Sequence, residues 1–218
     1  MSSLNEKPAV LLSTAYLAPV QYYTKLISYP HIFIENYENY SKQSYRNRCT
    51  ILSANGLLNL SIPVMKDNKQ KVLTKDIRID NNNRWKQMHI RALEAAYRSS
   101  PFFLYYSDEI LALYRKNYTF LVDLNNDFQK TILELLNIDI DIEFTSNYKM
   151  LPYPFDDFSD FIHPKTRMKK PDNHFYPKNY YQVFESRFGF AANLSIADLL
   201  FNMGPNSLEI IKDSIIKI

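Results

Sequence analysis

Apolar positions in the first third of the chain fall into short dense blocks rather than long periodic stripes. Ala9–Thr14 (AVLLST) reads as a buried strand, Val20–Ser28 carries apolar and aromatic residues at helical spacing, and His31–Glu35 (HIFIE) is again strand-like. Tyr29-Pro30 ends the helix, because a residue before proline avoids the helical region. Two strands around one helix predict a right-handed parallel βαβ unit. Arg48–Ser53 and Leu57–Val64 flank Ala54-Asn55-Gly56, a hairpin signal because Asn-Gly tolerates positive φ. Val72–Asp80 alternates, Ile77 and Ile79 against Lys75 and Arg78, and predicts a half-exposed strand.

The middle of the chain changes period. Trp85, Met88, His89, Ala92, Leu93, Ala96 and Tyr97 recur on one face of a helix over 84–97. Ser107 predicts the cap of a second helix running to about Asn117. Thr119–Leu136 predicts a third, with Leu121, Leu124, Phe128, Ile132 and Leu135 on its stripe, and Ile138–Phe144 a strand. Residues 147–180 break the pattern. Five of the eleven prolines fall there among Tyr153, Phe155, Phe158 and Phe161, too apolar for a free linker, so the segment predicts a long ordered loop with a functional role. Ile196–Met203 and Leu208–Ile215 predict two short helices separated by the stop signal Gly204-Pro205. The elements add up to an α/β fold in a single domain over 1–218. Its mixed sheet has an N-terminal βαβ unit and a β-hairpin, packed against helices from the middle and the C-terminus.

Composition narrows function mainly by exclusion. A net charge of +3 is too mild for a nucleic-acid surface, which needs a dense basic face. Three glycines (Gly56, Gly189, Gly204) rule out glycine-rich phosphate loops. The single cysteine, Cys49, excludes an internal disulfide framework and fits a reducing compartment; with Glu6, Lys7 and Pro8 ahead of a short apolar stretch, and no long apolar run, no signal peptide or membrane span is expected and the cytoplasm is the default. His163 and His174, eleven apart without a close Cys or His partner, do not have metal-ligand spacing, so no metal is expected; nothing names a cofactor. The 17 Tyr and 14 Phe fit half-wet pocket walls, or a biased amino-acid usage.

Candidate chemistry gathers in Tyr45-Arg46-Asn47-Arg48. Arg46 and Arg48 alternate onto one face of an extended segment, and guanidinium pairs hold carboxylate or phosphate; Lys42 adds a donor. The plainer reading is a solvated, charged edge strand. His89, one turn after Trp85 on an apolar helix face, reads either as a satisfied core residue or as a general base. Alternation turns Cys49 away from Arg48, which makes it a buried structural thiol. Ser195-Ile196-Ala197-Asp198 before an apolar run reads as a capping box, with Asp198 reaching back, rather than as a nucleophile and base.

Tyr16…Pro19…Gln21-Tyr22, Lys42…Tyr45-Arg46-Asn47-Arg48 and Trp85…His89…Tyr97…Pro101-Phe102 are distinctive in order. So is the tail Tyr181-Gln182…Phe188…Leu194-Ser195-Ile196…Asp198-Leu199-Leu200-Phe201-Asn202…Gly204-Pro205. Together they closely resemble the WbqC-like protein family, from about residue 9 to 211. Members are encoded in some O-antigen and surface-polysaccharide clusters, and a glycine (aminoacyl) transferase role has been suggested for them. The resemblance therefore implies a small acyl or aminoacyl transfer onto a sugar. Two departures stand out: Ser13-Thr14-Ala15-Tyr16 replaces a Gln-Pro opening, and a Ser-Gly stretch of the longer branch is missing from 147–180.

Two readings follow. In the first, an enzyme, Arg46 and Arg48 hold the anionic group of an activated donor and His89 deprotonates the acceptor. In the second, the same cluster makes a non-catalytic module for an anionic small molecule. Both expect Arg46, Arg48 and His89 to converge on one partly buried pocket, with Tyr16, Tyr45 and Gln182 in its wall. Oligomeric state is not legible.

Overall fold

Ala9–Ser13 forms β1, Val20–Ser28 α1 and Ile32–Glu35 β2. β1 and β2 pair in parallel, Val10 opposite Ile32 and Ser13 opposite Glu35, as the βαβ reading requires. These come from a computed structural model that describes residues 8–65, 71–165, 168 and 170–216. Glu6 and Lys7 lie outside the described residues, as do positions 166, 167 and 169 of the proline-rich segment. Tyr29 is extended ahead of Pro30 and ends α1.

Arg48–Ser53 (β3) and Gly56–Ser61 (β4) form an antiparallel hairpin that stands as its own two-stranded sheet. Gly56, at φ +97, takes the positive φ the turn needs. Trp85–Tyr97 (α2), Phe103–Arg115 (α3) and Leu121–Leu135 (α4) follow, then Ile142–Phe144 (β5) and Phe155–Asp157 (β6). Glu185–Phe188 (α5), Ile196–Met203 (α6) and Ser207–Asp213 (α7) complete the chain. The parallel sheet has the order β5-β2-β1-β6. All five residues of β1 are buried, which is why AVLLS reads as a continuous run and not as an alternation. Val10, Leu12, Ile32 and Ile34 face the main core, while Ala9, Leu11 and Phe33 pack under Leu151, Tyr153 and Phe155. α6 sits against α1, α2, α3 and β3. Gly204, at φ +54, lies so close to Phe102 that a Cβ would come within 2.5 Å of its ring.

Several expectations change. Val72–Asp80 is not a strand. It holds a 3-10 turn at Thr74–Asp76, and its backbone bonds scatter to different partners: Thr74 N to Glu38, Ile79 N to Thr119, and Leu121 N to the Ile77 carbonyl. Threading between elements buries Thr74, Ile77 and Ile79 and so produces the alternation without a ladder. Ser107 is not a cap. α3 starts four residues earlier at Phe103, because the Phe102 amide bonds the Phe201 carbonyl and fixes that end by docking. The strand expected at Ile138–Phe144 shrinks to three residues. β6 was invisible in the sequence. Its amides and carbonyls pair with β1, from which it is separated by most of the chain.

The proline-rich segment is held down by buried polar contacts. Lys25 Nζ lies 2.7 Å from Asp172 Oδ2, both side chains being buried, and Gln21 Nε2 donates to the same oxygen at 2.7 Å. No helix among the described residues is long and apolar enough to cross a membrane.

Ser195 caps α6, its Oγ accepting from the Ala197 amide (3.3 Å) and donating to the Leu17 carbonyl (2.8 Å). Asp198 does not reach back to the cap. Its carboxylate points inward and accepts from Tyr97 Oη (2.8 Å), Tyr180 Oη (2.7 Å) and Gln182 Nε2 (3.2 Å), because these buried donors leave it no reason to turn outward. Ser195→Ala is expected to lower unfolding stability by roughly 0.5–2 kcal/mol, read by denaturant titration. A loss of function without that stability loss would show that Ser195 does more than cap.

Candidate functional site

All four strands of the parallel sheet end on one edge, with Ser13, Glu35, Phe144 and Asp157 as their last residues. From β1 the chain moves outward to β2 and β5, then returns to the opposite flank of β1 as β6. The direction of travel therefore reverses between β1 and β6. In open α/β sheets, ligands bind at the carboxyl ends of strands where the order reverses in this way.

A buried guanidinium occupies that place. Arg46 Nε donates to Glu38 Oε1 (2.6 Å) and Nη2 to Glu38 Oε2 (2.5 Å), a bidentate pair. Nη2 also reaches Ser13 Oγ (2.8 Å) and Asp160 Oδ1 (3.0 Å). Ser13 Oγ in turn donates to the Ser159 carbonyl (2.5 Å). Burial raises the Glu38 carboxyl even against the pull of Arg46, whereas Glu38 and Asp160 outweigh the burial of Arg46 and hold its proton more firmly. Arg46 Nη1 makes no hydrogen bond among the described residues. The Asp160 side chain is 63% exposed against 3% for Arg46, so this pair runs from the interior to the surface. The crevice beside it, walled by Ser13, Thr14, Tyr45, Phe158, Ser159 and Ile162, is closed down to about 10 Å³, room for about one water.

Two unpaired polar atoms lie in the field of this cluster. His163 is 4% exposed; its Nδ1 accepts from the Lys165 amide (3.0 Å), and its Nε2 has no partner among the described residues. With Nδ1 accepting, the neutral ring carries its proton on Nε2, which makes that atom a buried donor without an acceptor. Burial lowers the His163 pKa, and Lys165, Arg46 and Arg48 lower it further, so the ring is neutral at pH 7. Tyr40 Oη is likewise buried and unpaired among the described residues; burial pushes its pKa up to about 12 against the pull of Arg46 and Arg48. An orphaned buried polar group costs about 1–3 kcal/mol, a cost that a partner reaching either atom would relieve. Arg48 itself is half-buried on β3, with Nε bonded to Ser61 Oγ (3.2 Å).

The residues expected in one pocket occupy three neighbouring clusters. Arg46 and Tyr45 belong to the crevice, Arg48 is half-buried on β3 with its bond to Ser61, and Lys42 is exposed on the loop before them. His89 and Tyr16 form a second. Tyr16 Oη meets His89 Nδ1 at 2.9 Å and is hydrogen-bonded to Tyr114 Oη. Burial pushes the His89 pKa down to about 4, with the Ser61 backbone opposing it. The Tyr16 amide bonds the Tyr45 carbonyl, so this cluster adjoins the crevice. Gln182 belongs to the third. Its amide spends both ends on Ala191 and also reaches Asp198. Cys49 is buried and its thiol pushed up, as a structural thiol would be. Glu38, Asp160, His163 and Tyr40 escaped the sequence reading, because only long-range folding brings them to Arg46.

A larger hollow, about 450 Å³, lies elsewhere, between α4 and β5. Its Asp127 is already bonded to Lys116 (2.9 Å) and Tyr118 (2.6 Å), which leaves it little chemistry to offer a ligand. Among the described residues, no group of three or more His, Cys, Asp or Glu is placed to hold a metal ion.

The sequence model of the WbqC-like protein family matches residues 14–153, more than half of the chain. No curated protein and no solved structure matches it. The match takes in Tyr40, Arg46, Arg48 and His89 and stops short of Asp160, His163 and Gln182.

The two buried titratable groups set opposite pH dependences. Asp198, raised to about 6 by burial, favours the folded state while protonated, so its contribution is present below about pH 4 and lost as pH rises through 6. His89, lowered to about 4, favours folding while neutral, so its contribution is present above about pH 6.5 and lost as pH falls through 4. Relative to the wild type, Asp198→Asn should gain stability as pH rises from 4 to 6, and His89→Gln should gain as pH falls from 6.5 to 4. Each swing is at most ~3 kcal/mol. Denaturant midpoints across pH test both, and a pH-independent difference in either variant would refute the assignment for that residue.

Proposed function

Since the chain belongs to the WbqC-like protein family, we propose that it binds an anionic small molecule at the carboxyl edge of its sheet, as donor or acceptor in the transfer of a small acyl or aminoacyl group during surface-polysaccharide assembly in the cytoplasm. One observation carries the reading. A buried guanidinium sits at the switch point, and His163 Nε2 and Tyr40 Oη, both buried and unpaired among the described residues, feel the charge of Arg46 and Arg48. An anion reaching Arg46, Arg48, His163 and Tyr40 would satisfy all of them. The whole of 1–218 is taken as one functional unit, since the site draws on residues from 13 to 163.

The alternative, a binding module without catalysis, is favoured by the same hydrogen bonds. His89 Nδ1 is occupied by Tyr16 Oη, and His163 presents a proton rather than a lone pair, so neither of these nitrogens stands ready as a base in this conformation. His89 Nδ1 would act as a base only by giving up its bond to Tyr16.

Arg46→Ala would strand Glu38 in the interior, so Arg48→Ala is the better probe. Purified wild type should retain an anionic metabolite in an untargeted mass-spectrometric screen, and Arg48→Ala should weaken retention by about 2–5 kcal/mol. No enriched anion, or enrichment indifferent to Arg48, would sink the reading. Turnover of the retained compound that His89→Gln abolishes while sparing retention would decide for the transferase, and retention without turnover for the module.

A further inference from the structure

Resting on that reading of the site, we propose that Asp160 holds the place of a ligand carboxylate, and that the anion recognised here is a carboxylate rather than a phosphate. Arg46 has two carboxylate partners of unlike standing. Glu38 is buried and bidentate, whereas Asp160 touches the same guanidinium with one oxygen and is 63% exposed. An exposed ion pair contributes little, and an exposed side chain leaves by a rotamer change alone. Glu38 cannot leave without stranding a buried charge, so an incoming anion would displace Asp160.

The occupant also defines the class. Asp160 is the group that a carboxylate ligand would replace atom for atom, with one oxygen 3.0 Å from Nη2. Nη1 of the same guanidinium makes no hydrogen bond among the described residues, and the unpaired His163 Nε2 and Tyr40 Oη feel the charge of Arg46. Glu38 already meets one positive charge, so a single further negative charge, shared with Arg48, completes the balance around Arg46.

The test uses acetate and inorganic phosphate as probes at constant ionic strength, with the full-length wild type, Asp160→Ala, Asp160→Asn and each combined with Arg48→Ala. Binding is read from chemical-shift titration and from the rise in melting temperature. Asp160→Ala and Asp160→Asn should bind acetate roughly two- to fivefold tighter than the wild type, the factor that removing an exposed competitor allows. Arg48→Ala should abolish the gain, and phosphate should bind no better than acetate. Equal acetate binding in the wild type and both Asp160 variants, each lost with Arg48→Ala, would overturn the place-holder while leaving the anion site standing. Tighter binding of phosphate than of acetate would overturn the class. The absence of any Arg48-dependent binding in all variants would overturn the site itself.

Discussion

The guanidinium of Arg46 is the point on which the carboxyl edge of the sheet depends. It joins Ser13 at the end of β1, Glu38 beyond β2 and Asp160 beyond β6, positions 33, 8 and 114 residues away. A buried charge needs its partners, and removing one from such a pair costs about 3–5 kcal/mol. Each partner is therefore held where the guanidinium can reach it. β6 illustrates the effect. Three residues with two aspartates would make a poor strand by themselves. Asp157 is bonded to Lys149 and Asp156 to Tyr29, and the Ser159 carbonyl and Asp160 close on Ser13 and Arg46. The strand pairs because its flanks are pinned.

The same accounting explains the abundance of tyrosine better than pocket walls do. Tyr16 and Tyr114 link their hydroxyls to His89, and Tyr97 and Tyr180 satisfy Asp198. Rings fill the core while hydroxyls serve the polar groups buried in it. Against that background, unpaired atoms stand out. His163 Nε2 and Tyr40 Oη are buried and unpaired among the described residues, and both groups feel the charge of Arg46 and Arg48.

What was legible in the sequence follows the range of the interactions. The βαβ unit, the hairpin and the helices at 85–97 and 121–135 are set by local period and by proline and glycine signals, and they form where those signals stand. Failures cluster where a distant partner decides. Ser107 lost its cap role to the docking of Phe102 on Phe201, the alternation of 72–80 came from threading and not from a ladder, and Asp198 turned inward to tyrosines up to 101 residues away. For the site, Arg46 could be suspected from its charge, but its burial could not. An alternating Arg-x-Arg reads the same on a solvated edge as beside a buried glutamate 8 residues upstream.

The site is built from two parts with different freedom to change. Arg46, Glu38, Arg48 and Tyr40 lie within the stretch that matches the family, and the buried ion pair among them cannot be altered singly without stranding a charge. Asp160 and His163 lie beyond it, on a segment after β6 whose contribution to stability is small at Asp160 because that side chain faces water. Replacing Asp160 would therefore remove the exposed partner of Arg46 and leave the buried pair that anchors the sheet intact.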